Sequence, residues 1–243
     1  MTYCVGLKID RGLVFMSDTR TNAGMDSIST FRKMHVWEQP GERVIVLMSA
    51  GNLATTQAVV SLLDERCKAI SERHQTVLET PSMYQTARLV GDTVKEVIAS
   101  AAPVGEKADS YFNASFVLGG QIKGSEPRLF MIYPEGNFIE STEDTPFFQI
   151  GETKYGKPII IRAYDREMTV AEAVKLMLVS FDSTLKSNLS VGLPLDLLFY
   201  ARDSFKIELQ QRIGQDDPYY RTISDGWSKA LKAAFQQLPD FPG

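Results

Sequence analysis

An apolar strand starts at the second residue of the chain, and that placement limits the folds open to it. Behind Met1 the sequence reads TYCVGLKIDRGLVFMSDTRTNAG, although a frayed end is the ordinary expectation for a terminus. Strand-forming residues run from Thr2 to Ile9 and from Leu13 to Ser17. Asp10 and Gly12 supply the turn chemistry of the DRG between them. The chain opens on a β-hairpin, with a threonine at the head of a buried-looking strand.

After the polar stretch DTRTNAGMDS, RKMHVWE reads as a third strand and RVIVLMSA as a fourth, fully buried one that breaks at SAGN. Asn52 is placed to cap the next helix, in which Leu53, Val59, Val60, Leu63, Cys67 and Ile70 form one apolar stripe. MYQTARLVGDTVKEVIASAA repeats the pattern, and Pro103 and Gly105 end the helical block. Strands return in NASFVLGGQ, PRLFMIYPEG, NFIEST and FFQIG, with PEGN as a turn between two of them. A short helix is expected within TKYGKPIIIRAY, and Thr169 with Glu172 forms an S/T-x-x-E capping box at the head of TVAEAVKLMLVSFDSTLKS. Strands at LSVGLPLDLLFYARD and SFKIELQQR and a last helix at RTISDGWSKALKAAFQQL complete the order. Blocks segregated in this way predict an α+β fold, two antiparallel sheets packed face to face with helices outside, and not a βαβ alternation. One domain is expected over residues 1–243, with 218–243 as a C-terminal helix and tail.

Length and composition fit that reading: 243 residues, 44% hydrophobic and 23% charged, describe a chain able to bury one sizeable core. The net charge of -4 argues against a broad electrostatic surface for nucleic acid or anionic membrane. No apolar run reaches the about 18 residues that a membrane span requires. The start lacks the basic segment and apolar region of a secretory peptide, so a cytoplasmic protein is expected. Cys4 and Cys67 show no CxxC spacing and read as buried free thiols. With His35 and His74 the only histidines, ligand spacing builds no zinc site, and no metal or organic cofactor is implied.

Removal of Met1 would leave Thr2 carrying both a β-hydroxyl and a free α-amine. Such an amine titrates at about 7.7–8.0, so it can act as base toward its own hydroxyl, directly or through a water. That is the nucleophile-plus-base pairing of an N-terminal threonine hydrolase. Small second residues are common, so Thr2 gains meaning only from its company. Asp18 closes the second strand and Lys33 opens the third, which sets both beside the first residue of strand one in a four-stranded sheet. A lysine there lowers the cost of an alkoxide at Thr2, while the aspartate holds the ammonium charged and oriented. Taken singly, Asp18 reads as a turn former, Lys33 as a solvated edge charge and Arg20 as a brace for its loop.

Together these residues resemble the start of a mature proteasome β subunit, where a nucleophilic threonine is followed by a glycine hairpin, an Asp-x-Arg and an AG, here SDTRTNAG. FRK falls where that family has its active-site lysine, and MSAGNLATTQAV resembles its strand-to-helix corner with the oxyanion glycine. The absence of a propeptide, the layout of the chain and KSNLSVGLPLDLL are similar to Anbu, the ancestral β-subunit family of bacterial proteasome-type peptidases. The resemblance implies the four-layer αββα sandwich of N-terminal nucleophile hydrolases. It implies Thr2 as nucleophile and base, Asp18 and Lys33 as its partners, and Gly51 donating its backbone N–H to the oxyanion. A glycine corner near a helix start suits a developing negative oxygen. It further implies a self-compartmentalising threonine peptidase that acts on peptide or unfolded protein and assembles as a homo-oligomeric ring or open helical turn. An ATPase partner is left open.

Two regions depart from the family pattern of a glycine-serine pair and a later Asp-x-x-Ser around the terminal amine. The first reads IGETKYG, with Glu152 in place of a serine, and the second reads SNLS, with Ser187 and Ser190 at the corresponding positions. By analogy Thr21, Phe31, Ser49 and Leu53 line a medium, largely apolar first pocket, although Phe31 and Leu53 read equally well as core. In the tail, Phe235, Phe241 and Pro242 are expected either at an intersubunit contact or packed back on their own domain. A catalytically idle scaffold subunit and an amidase acting on a small non-protein amide remain as alternatives, since this fold hosts both kinds of chemistry.

Overall fold

The computed structural model describes residues 1–22, 28–68, 74–101 and 112–242. In chain order the first half comprises β1 (Tyr3–Ile9), β2 (Gly12–Asp18), β3 (Arg20–Asn22), β4 (Ile28–Thr30), β5 (Met34–Gln39), β6 (Arg43–Gly51), α1 (Leu53–Lys68) and α2 (Met83–Ala101). The second half comprises β7 (Ala114–Ile122), β8 (Arg128–Ile132), β9 (Phe138–Glu140), β10 (Phe147–Gly151), α3 (Lys157–Ala163), α4 (Val170–Ser187), β11 (Leu195–Ala201), β12 (Leu209–Ile213) and α5 (Pro218–Gln236). Two antiparallel five-stranded sheets result, in the orders β10-β1-β2-β11-β12 and β5-β6-β7-β8-β9, with β3-β4 as a separate ribbon.

Strand periodicity distributes the apolar residues over three cores. Along β1 and β2, Tyr3, Val5, Leu7, Val14 and Met16 face the side covered by α3 and α4, while Cys4, Leu13 and Phe15 face the other sheet. Along β6, Ile45 and Leu47 pack under α1 and α2, while Val44, Val46, Met48 and Ala50 meet the first sheet. Burial on both faces is why these strands read as continuous apolar runs rather than alternating ones. The layers are helices, sheet, sheet, helices, the αββα order expected from the sequence. Among the described residues no helix is long and apolar enough to cross a membrane.

One expectation is corrected. The first four long strands do not share a sheet: β1-β2 and β5-β6 lie in different sheets, and the β3-β4 ribbon intervenes between them. Each hairpin carries a second apolar face, and those faces are buried by stacking on one another, which joining edge to edge would not achieve. Helix starts follow local chemistry more closely. Asn52 Oδ1 accepts the Thr55 N–H at 3.0 Å at the head of α1, and both bonds of the Thr169–Glu172 capping box are made. The last helix begins earlier than its apolar pattern, at Pro218, because Asp217 accepts the Tyr220 N–H at 2.8 Å and a proline at the first helical position has no N–H to satisfy. Ala23 and Gly24 of the AG pattern, Ile70, Pro103 and Gly105 lie outside the described residues.

Candidate active site

Residue 2 is fixed through its backbone before its side chain is considered. The Thr2 carbonyl accepts the Glu152 N–H at 2.6 Å, and the Tyr3 N–H donates to Asp18 Oδ1 at 3.0 Å. Both polar atoms of the Thr2–Tyr3 peptide unit are thus held, one by the end of β10 and one by the end of β2. Gly151, at φ 85°, allows the first contact, since a Cβ there would stand 2.0 Å from the Thr2 carbonyl oxygen. Tyr3 anchors the strand further, its phenol bonded to Ser180 Oγ at 2.8 Å and to the Gln149 side-chain amide. Burial raises the Tyr3 phenol well above its ordinary range.

Asp18 is fully buried and gathers three donors: Lys33 Nζ at 2.7 Å, the Tyr3 N–H, and the Gly192 N–H at 3.3 Å. Burial raises its carboxyl above the usual carboxylate value, and the Lys33 ammonium, followed by the two N–H groups, opposes that shift. Lys33, 5% exposed, also donates to the Arg20 carbonyl at 2.6 Å. It stands just ahead of β5 and reaches from the second sheet to the end of β2 in the first, so the buried ion pair ties the two sheets together beside residue 2. Arg20 itself donates to the Leu189 carbonyl at 2.9 Å, bracing the loop that brings Gly192 to Asp18.

Thr2 and Lys33 line one cavity of about 410 Å³. Gly51 forms part of its wall at the β6–α1 corner, with φ 119° and the Asn113 carbonyl oxygen 2.3 Å from where a Cβ would sit. Thr21, Ser49 and Leu53 line the cavity as well, whereas Phe31 does not. Arg32, His35, Thr56, Gln57 and Gly151 also contribute, and sequence reading missed them. The signal was available in the periodicity: His35 follows Lys33 by two residues along a strand, and Thr56 and Gln57 follow Leu53 at helical spacing. The α-amine, which belongs to Met1 here, is lowered from 8.0 by burial first and then by Lys33, against an opposing pull from Asp18.

Neither Ser187 nor Ser190 lines this cavity. Because α4 runs through Ser187, that hydroxyl turns back onto its own helix and donates to the Ser183 carbonyl at 2.8 Å, and the Ser190 N–H donates to Asn188 Oδ1 at 2.9 Å. The residue between them supplies the loop's contribution, as Asn188 Nδ2 donates to Glu152 Oε2 at 2.9 Å. The two departures from the family pattern are therefore joined to each other directly behind the Thr2 carbonyl. No group of three or more His, Cys, Asp or Glu that would hold a metal ion is present among the described residues.

Comparison with known proteins agrees with this geometry. A search of curated proteins gave no match, but the proteasome subunit family matches residues 2–193. Among solved structures the chain is similar to Anbu (ancestral beta-subunit) from Yersinia bercovieri, with 52% identity and a TM-score of 0.93 over 100% of this chain and 99% of that one. Anbu from Hyphomicrobium sp. strain MC1 is 54% identical, with a TM-score of 0.92 and 100% of both chains covered. The Anbu complex from Pseudomonas aeruginosa, described as a helical assembly, is 47% identical, with a TM-score of 0.91 over 100% of this chain and 99% of that one. With most of its length matched by the family and its whole length by these structures, the chain belongs to the proteasome subunit family, in its Anbu (ancestral β-subunit) branch.

Proposed function

We propose that the protein is an N-terminal threonine hydrolase of the proteasome type, a peptidase whose nucleophile is Thr2 once Met1 has been removed. The observation that carries the proposal is the buried Lys33–Asp18 pair at 2.7 Å, whose lysine lines one cavity with Thr2 and Gly51. In the reaction the Thr2 hydroxyl attacks an amide carbonyl while the α-amine, directly or through a water, takes its proton. Lys33 favours the negative charge at the threonine oxygen, and the Gly51 N–H donates to the oxygen of the tetrahedral intermediate. The protonated amine then passes its proton to the leaving nitrogen, and an ester on Thr2 remains. Water, deprotonated by the same amine, hydrolyses the ester and restores the hydroxyl. Asp18 is a positioning residue that acts through Lys33 and the Tyr3 N–H, and Ser187 and Ser190 enter no step.

The enzyme works in the cytoplasm as a homo-oligomer on peptide or unfolded-protein substrates. Its copies meet in part through α5 and the tail, where Phe235 is 76% and Phe241 91% exposed on the single chain. Intact-mass measurement before and after incubation with an epoxyketone or β-lactone tests the chemistry. The expected result is loss of Met1 and one adduct that disappears in Thr2→Ala. Processed protein that takes no adduct would make the chain a scaffold subunit, and retention of Met1 in native material would remove the mechanism.

A further inference from the structure

The charge balance of the cavity differs from the largely apolar pocket expected from sequence. Among the described residues no aspartate or glutamate lines it, while Arg32, Lys33 and His35 all do. Lys33 is already neutralised by Asp18. Arg32, by contrast, is exposed and makes no ion pair or hydrogen bond among the described residues. Arg32 also borders a second cavity of about 360 Å³ that contains Asp196, but that carboxylate is engaged by both arms of the Arg212 guanidinium at 2.7 and 2.9 Å. Burial lowers the His35 imidazole from its ordinary value, opposed by Asp64, which accepts the Trp37 indole N–H at 2.8 Å, and by Asp196, and aided by Arg32; the net shift favours the neutral ring with one N–H to donate. Neither that ring nor the Ser49 hydroxyl has a hydrogen-bond partner among the described residues. Among the described residues the cavity thus offers one cation outside any ion pair, two donors and no anion, within about 410 Å³.

We propose that this cavity selects an acidic side chain, glutamate or aspartate, in the substrate residue whose carbonyl is attacked, and that Arg32 is the specificity-determining residue. The inference rests on Thr2 being the nucleophile, since that fixes which substrate side chain enters the cavity. A carboxylate there satisfies Arg32 by a charge-assisted hydrogen bond and accepts from Ser49 and His35. A lysine or arginine side chain meets Arg32 as a like charge, and an aliphatic one leaves all three groups without a partner.

The test is made by binding, apart from turnover, on the Thr2→Ala protein, using labelled peptides that end as carboxamides in Glu, Gln, Leu or Arg and reading fluorescence anisotropy. Glu is expected to bind roughly fivefold more tightly than its isostere Gln, as one partly solvated ion pair permits, with the margin shrinking as salt is added. Arg32→Ala on the same background is expected to abolish the Glu–Gln difference while leaving Gln binding unchanged. Equal affinities for Glu and Gln, tighter binding of Leu, or no binding of any peptide would overturn the proposal. Failure of the catalytic reading is seen separately: wild-type protein without a warhead adduct, beside a Thr2→Ala cavity that still prefers Glu, removes the peptidase and leaves the selectivity.

Discussion

At residue 2 the proposed nucleophile and base stand beside the buried Lys33–Asp18 pair, whose charges act on the terminal amine. Thr2 is 9% exposed whereas Met1 is 63% exposed, so an amine transferred from residue 1 to residue 2 moves deeper into the same surroundings. Burial and Lys33, which already lower the outer amine below 8.0, will lower the inner one too. A lowered amine is unprotonated, and therefore able to act as base, at a lower pH than a free terminus. The rate of warhead labelling should accordingly rise with pH along an acid limb whose midpoint lies below 8.0. In Lys33→Met the like charge is gone and Asp18 no longer has its counter-ion, and both changes favour the ammonium. That variant should label far more slowly, with its acid limb displaced to higher pH. It should also be less stable by about 3 kcal/mol, because a buried carboxylate has lost its partner. Labelling rates across pH together with thermal unfolding decide the point, and an unmoved limb would detach Lys33 from the amine.

Among the elements, those defined by local chemistry were the most legible from sequence. The Thr169 capping box is an example, because its bonds join residues three apart and the four-residue pattern contains the whole interaction. Thr169→Ala should lower the melting temperature by about 2–4 °C with no change in warhead labelling, since α4 keeps its contacts with β1 and β2. A loss of labelling would show that α4 transmits its register to the site. Elements defined by long-range contact were less legible. Their places at strand ends set Asp18 and Lys33 beside Thr2, but within one sheet, because neither strand periodicity nor residue type states which sheet β5 joins. The three-residue strands of the β3-β4 ribbon are too short to give a periodic signal, and missing them led to the single four-stranded sheet. Glu152 stood out only as a departure and Asn188 was passed over for Ser187 and Ser190, since the Asn188–Glu152 bond spans 36 residues between two loops, where sequence offers no register.

Over the whole molecule, apolar surface is distributed unevenly, and the imbalance lies at the C-terminal end. Every other long helix buries several side chains, but α5 buries only Tyr220 across 19 residues. Tyr220 and Ile223 at its start join the apolar cluster of α4, and polar contacts add to this, the Tyr220 hydroxyl to Asp182 at 3.2 Å and Lys186 to Ser224 and Ser228 at 3.0 and 3.1 Å. Leu231, Phe235, Leu238 and Phe241 are 50%, 76%, 65% and 91% exposed. Burying such side chains in an interface gains about 25 cal/mol for each Å² of apolar surface removed from water, so a second copy has reason to cover them and the core of the first copy has no need of them. The substitutions Phe235→Ser, Leu238→Ser and Phe241→Ser, made together, should therefore leave the far-ultraviolet circular dichroism spectrum unchanged while light scattering shows the assembly falling toward the monomer mass. Warhead labelling of Thr2 measured in the same samples shows whether the site needs its neighbours. If the spectrum collapses along with the mass, the tail packs on its own domain, and if the mass is unchanged, the copies meet elsewhere.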